Sequence, residues 1–118
     1  MRPDRERLQD IIESCEAISQ YKKEIDSYND FFKSRKDQGA LLYELAKIGE
    51  ASSHVSAKIQ KENPHIAWAG IKNLRNIIIH EYFGVDLEIV WEVITIRIPQ
   101  LGEDIKEILS NLKDEEFI

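Results

Sequence analysis

The stretch Leu8-Gln9-Asp10-Ile11-Ile12-Glu13-Ser14-Cys15-Glu16-Ala17-Ile18 repeats an apolar residue at steps of three and four. That is the period of one face of an α-helix, with polar residues filling the other face. The stripe continues to Ile25, so a first helix is predicted from about Asp4 to Ser27, with Pro3 suited to its start. Tyr28-Asn29-Asp30 should end it, with Asn29 or Asp30 capping a short turn through Phe31 and Phe32.

The same signature recurs downstream. Ser34 and Asp37 have capping-box spacing, and Leu41, Leu42, Leu45, Ile48, Ser52, Val55 and Ile59 line one face of a second long helix that stops near Asn63-Pro64. A third segment, from Pro64 to about Ile79, carries Ile66, Trp68, Ile71, Leu74 and Ile78, with Gly84 as punctuation after it. Asp86 should cap a fourth helix containing Leu87, Val90, Trp91 and Ile94. Val93 to Ile98 also alternates like a strand, but a single strand has no evident mate here, so it is read as helix. Pro99 should break or restart the chain before a last amphipathic helix through Leu101, Ile105, Ile108, Leu109 and Leu112. Short connections between such helices imply an all-α, antiparallel four- to five-helix bundle forming one domain over 1–118.

Composition agrees and narrows the function. With 118 residues, 42% hydrophobic and 32% charged, the chain reads as globular and able to bury a core. The charged N-terminus has no apolar run behind it and no segment approaches a membrane span, so a cytoplasmic protein without a membrane partner is expected. The net charge of -6 argues against nonspecific nucleic-acid binding but leaves room for a local basic site. Lys33, Arg35 and Lys36 cluster, as do Lys22 and Lys23, and read as solvated surface, while Lys72 precedes Arg75 by three residues. Cys15, the single cysteine, falls on the first apolar stripe and reads as core. No zinc spacing, phosphate-cradling glycine loop or nucleophile elbow is present, so no metal or other cofactor is expected.

Chemistry concentrates in Arg75-Asn76-Ile77-Ile78-Ile79-His80-Glu81-Tyr82. Arg75 and Tyr82 are seven apart and share a helix face, whereas His80 lies ~140° from Arg75 at ~100° per residue. Either the helix loosens before His80, or a second copy of the chain completes the site. RNA cleavage without a metal needs a base for the 2′-OH, a counter-charge for the phosphate and a proton for the leaving 5′-oxygen. Histidine serves both proton steps near neutrality, and arginine presents a fixed fork of donors to phosphate. The bland alternative makes His80 a helix-terminal cation and Arg75 a salt-bridge partner. Asn76 either orients His80 or a phosphate, or is an ordinary polar helix residue. Gly49 should let another helix approach closely, and Glu50 beside it is either a paired, buried carboxylate positioning Arg75 or a surface charge. His54 and His65 lack partners at ligand spacing and are assigned no role, and Trp68 and Trp91 read as core rather than base-stacking platforms.

Arg75 to Tyr82 resembles the Arg-x4-His-x-Tyr motif of HepT toxins, a branch of the HEPN superfamily. Ile48-Gly49-Glu50-Ala51 resembles the family's second-helix signature, and Pro64-His65-Ile66-Ala67-Trp68 its approach to the third helix. Tyr82-Phe83-Gly84-Val85-Asp86, followed by Ile89-Val90-Trp91, resembles the segment after the motif. The likeness runs over roughly positions 4 to 110. It implies a HEPN-like bundle that dimerises with its motifs facing each other, and metal-independent cleavage of tRNA or mRNA with Arg75 and His80 catalytic. It also implies a toxin–antitoxin pair of the type VII kind, in which an MntA-like nucleotidyltransferase neutralises the toxin by moving AMP onto Tyr82. The competing reading is a noncatalytic dimeric binding module for such a nucleotidyltransferase.

Overall fold

The computed structural model describes residues 3–80 and 84–116. Helix α1 (Asp4–Lys23) is followed by a single-turn pair of short and long helices, α2 (Tyr28–Lys33) and α3 (Arg35–Ser53). Then come a short α4 (Ala57–Glu62) and α5 (Trp68–His80). The last element is one continuous helix over 87–116, in which α6 (Leu87–Glu92) passes through a π-helical turn (Val93–Arg97) into α7 (Ile98–Glu116). The architecture is therefore all-α and HEPN-like, with no strand among the described residues. None of these helices is long and apolar enough to cross a membrane.

Local chemistry sets most boundaries. Ser27, rather than Asn29 or Asp30, caps α2: its hydroxyl accepts from the Asp30 N–H at 3.2 Å. Ser34 caps α3 by accepting from the Asp37 N–H at 3.1 Å, and Asp86 caps α6 through the Glu88 and Ile89 N–H groups. The predicted second long helix is interrupted at His54-Val55-Ser56. There the Ser56 N–H donates to Asp4 Oδ1 at 2.9 Å, and the Ser56 hydroxyl caps α4. The chain turns because its backbone is tied to the start of α1, 52 residues away.

Pro99 does not break the last helix. It sits two residues after the π-helical turn, which Ile98 closes by donating its N–H to the Val93 carbonyl five residues back. A widened turn relieves the clash that a proline ring meets in a regular α-helix.

The four long helices alternate in direction. α1 packs on α3 and α7, and α3 packs on α1 and α5. Leu8, Ile11, Phe31, Leu41, Ile48 and Ile105 are wholly buried between them, each contributing ~1.5–3 kcal/mol by leaving water. Cys15 is in this core, and burial pushes its thiol up to about 12. Trp91 stacks on Phe31 at 5.3 Å, and Trp68 is buried with its indole N–H on the Asn63 carbonyl, so both tryptophans serve packing.

α5 and the α6–α7 helix do not close on each other in the same way. Between them runs a largely apolar groove of about 550 Å³, lined on one side by Gly70, Ile71 and Leu74 and on the other by Val93, Ile96 and Leu101. Ile96 is 61% exposed.

Candidate functional site

The site begins with a glycine. Gly49 lies in α3 where α5 crosses it. A Cβ added there would fall 2.9 Å from the Arg75 amide nitrogen, 3.0 Å from the Ile71 carbonyl and 3.2 Å from the Arg75 Cβ. Only the absence of a side chain at 49 permits this approach, as the sequence suggests. The close crossing presents Arg75 to the residue after Gly49.

Glu50 takes that position. Arg75 Nε and Glu50 Oε2 form an ion pair at 2.7 Å. Both side chains are 47% exposed, so Glu50 is a paired carboxylate but not a buried one. It stands at the rim of the α3–α5 contact, just outside the layer that Gly49 seals. An ion pair this exposed adds at most ~1 kcal/mol to stability. Its larger effect is on geometry: it engages the guanidinium through Nε, while an arginine carries four further N–H donors on its Nη atoms for an incoming anion.

The other Glu50 oxygen is also engaged. His54 Nε2 lies 3.1 Å from Glu50 Oε1, one helical turn further along α3. Sequence reading gave His54 no partner, although the Glu50–His54 spacing of four residues is that of side chains that meet on a helix. Flanking Glu50 on the α1 side, Arg7, Asp10, Glu13 and Lys47 line a charged hollow of about 250 Å³. Lys47 is committed to the buried Glu44 at 3.4 Å and lies over the Tyr43 ring.

The remaining motif residues are placed less completely. Asn76 is exposed on α5, and among the described residues its side chain has no hydrogen-bonding partner. His80 is the last residue of α5, ~7.5 Å along the axis from Arg75 at 1.5 Å per residue. Its imidazole, and Tyr82 altogether, lie outside the described residues. The structure thus brings together Glu50 and Arg75 and adds His54. His65 lines the apolar groove and joins no such cluster. Among the described residues no three His, Cys, Asp or Glu side chains gather as a metal site would require.

The helical bundle thus carries a clamped Arg75 and ends the same helix on His80. Residues 11–108 match the family model described as "Ribonuclease HepT-like". The chain belongs to this ribonuclease family. It is 35% identical over 113 residues to a "Putative RNase" of Caldanaerobacter subterraneus, covering 96% of this chain and 100% of that protein. It is 35% identical over 100 residues to the "Probable ribonuclease HepT" of Thermococcus cleftensis, covering 85% and 90% respectively. A longer Methanocaldococcus jannaschii protein, "Gamma-glutamylcyclotransferase and putative RNase", is 38% identical over 105 residues. Those residues are 89% of this chain and 47% of that one, so the chain spans about half of it. No solved structure matches.

Proposed function

We propose that the chain is the toxin of a toxin–antitoxin pair, a metal-independent endoribonuclease acting on tRNA or mRNA. The observation that carries this reading is the Arg75–Glu50 ion pair at 2.7 Å, seated over Gly49 in a ribonuclease family member. Arg75 receives the scissile phosphate on its Nη edge. His80 removes the 2′-OH proton; the 2′-oxygen attacks phosphorus, and the bond to the 5′-oxygen breaks. Protonated His80 then gives its proton to that oxygen, yielding a 2′,3′-cyclic phosphate and a free 5′-OH. The need for a 2′-OH spares DNA. Asn76, next to Arg75, orients either the phosphate or His80.

The working unit is a homodimer. The groove beside α5, with Ile96 exposed on its lip, supports pairing with a second copy. Such pairing supplies His80 from either chain and answers its angular offset from Arg75. Regulation falls on Tyr82. A minimal nucleotidyltransferase partner transfers AMP from ATP: the tyrosine oxygen bonds to the α-phosphorus and pyrophosphate leaves. The added phosphodiester is an anion that competes with the substrate phosphate for Arg75. Intact mass after incubation with the partner and ATP should rise by AMP units, and a gain that persists in Tyr82→Phe rejects the assignment.

Growth and RNA integrity on induced expression test the catalytic reading. Wild-type protein should arrest growth and fragment RNA, and His80→Ala should lose ~10²–10⁴ of the cleavage rate while remaining folded. If both proteins are folded and both leave RNA intact, the chain is instead a noncatalytic module for its nucleotidyltransferase, a role to which the net charge of -6 offers no obstacle.

A further inference from the structure

Glu50 has two oxygens and two partners from different helices. Oε2 meets Arg75 Nε from α5 at 2.7 Å, and Oε1 meets His54 Nε2 from the end of α3 at 3.1 Å. A half-exposed glutamate held at one oxygen alone can turn about its last side-chain bond and carry its partner with it. Held at both, its carboxylate plane is fixed, and so is the edge of the guanidinium that faces outward.

We propose that His54 is a positioning residue of the ribonuclease site, fixing through Glu50 the orientation in which Arg75 meets the scissile phosphate. This rests on the reading of Arg75 as the phosphate-binding group. Of the neighbouring cations, Lys47 is held by Glu44, and Arg7 lines the hollow beside Glu50. His54 does not share the proton chemistry of His80 within one chain. α3 and α5 run in opposite directions from their crossing at Gly49, which places the two backbones ~18 Å apart along the bundle axis at 1.5 Å per residue.

The test uses the full chain with His54→Ala, His54→Gln, Glu50→Ala and the double variant His54→Ala/Glu50→Ala. Glutamine keeps an N–H donor within reach of Glu50 without an imidazole. Two readouts are taken. The first is solvent exchange of the Arg75 Nε–H by nitrogen-resolved NMR, which needs no turnover. Exchange should be slow in wild type and His54→Gln and faster in His54→Ala and Glu50→Ala. Equal exchange in wild type and His54→Ala overturns the proposal. The second is kcat/KM on a short RNA. His54→Ala should lower it about tenfold, in the range of coupled residues in one network. His54→Gln should restore most of it, and His54→Ala should have no further effect once Glu50 is alanine. A full His54→Ala loss persisting in the Glu50→Ala background overturns the proposal by showing that His54 touches RNA itself. If wild type cleaves no RNA, the ribonuclease reading fails while the exchange measurement still decides the role of His54.

Discussion

α5 has two flanks, and they are built to different tolerances. On one, α3 approaches so closely that a single methyl group at Gly49 would strike the α5 backbone. On the other, the α6–α7 helix stands away and leaves a groove, and a methyl group at Gly70 would meet nothing within 4 Å. The tight flank holds Arg75 to a defined place, as the phosphate-binding role proposed for it requires. The loose flank leaves apolar surface in reserve. Precision and availability thus lie on opposite sides of one helix.

The two glycines give the strongest way to break this contrast. Gly49→Ala should destabilise the fold by ~1–3 kcal/mol, as overpacked contacts do, and should cut RNA cleavage by displacing Arg75. Denaturant unfolding and a cleavage assay on the same samples check both effects. Gly70→Ala should move the other way and stabilise by ~1 kcal/mol, because a glycine inside a helix is replaced with no clash. Equal signs at the two positions would erase the distinction.

Ile96→Asp sharpens the loose side. It should change the stability of the folded chain by no more than ~0.5 kcal/mol, as expected at an exposed position, yet convert the proposed dimer to monomer in sedimentation velocity. A dimer that persists would move the proposed interface elsewhere. Glu50→Ala sharpens the tight side: less than ~1 kcal/mol of stability should be lost, against at least a tenfold fall in cleavage.

The smallest effect concerns the core that both flanks share. Below the ordinary thiol range Cys15 is protonated whether the chain is folded or not. Between that range and about 12 only the unfolded chain ionises. Stability should therefore decline as pH rises through that window, and Cys15→Ser should remove this part of the slope. The folded protein should resist iodoacetamide at neutral pH.

The alternating bundle was legible because its stripes are long and regular, and Ser34 and Asp86 announced their helices by local chemistry. What escaped was non-local or ambiguous. The break before Ser56 depends on Asp4, which no window around residue 56 contains. Val93 to Ile98 has branched side chains in a pattern that fits a strand, a helix or a widened turn, and only packing against α1 selects among them. In the site, Gly49 and the Glu50–Arg75 pairing could be anticipated, but not the exposure of Glu50, which depends on where the helix rims fall. His54 has no ligand spacing to announce it, and its one legible cue is the carboxylate of Glu50 a helical turn away.

The widened turn at Val93–Arg97 has a consequence for bearing. Val90, Ile94 and Ile98 recur every four residues, so on a regular α-helix each would drift ~40° from the last at ~100° per residue. The wider turn takes up part of that drift. It acts as an offset coupling in a continuous shaft, letting α6 aim Trp91 at the aromatic ring cluster of α2 while α7, past Pro99, aims Gly102 at Cys15 of α1. Removing one residue from the coupling would re-aim the remaining length of the helix, so its phase is as much a determinant of this fold as any side chain it buries.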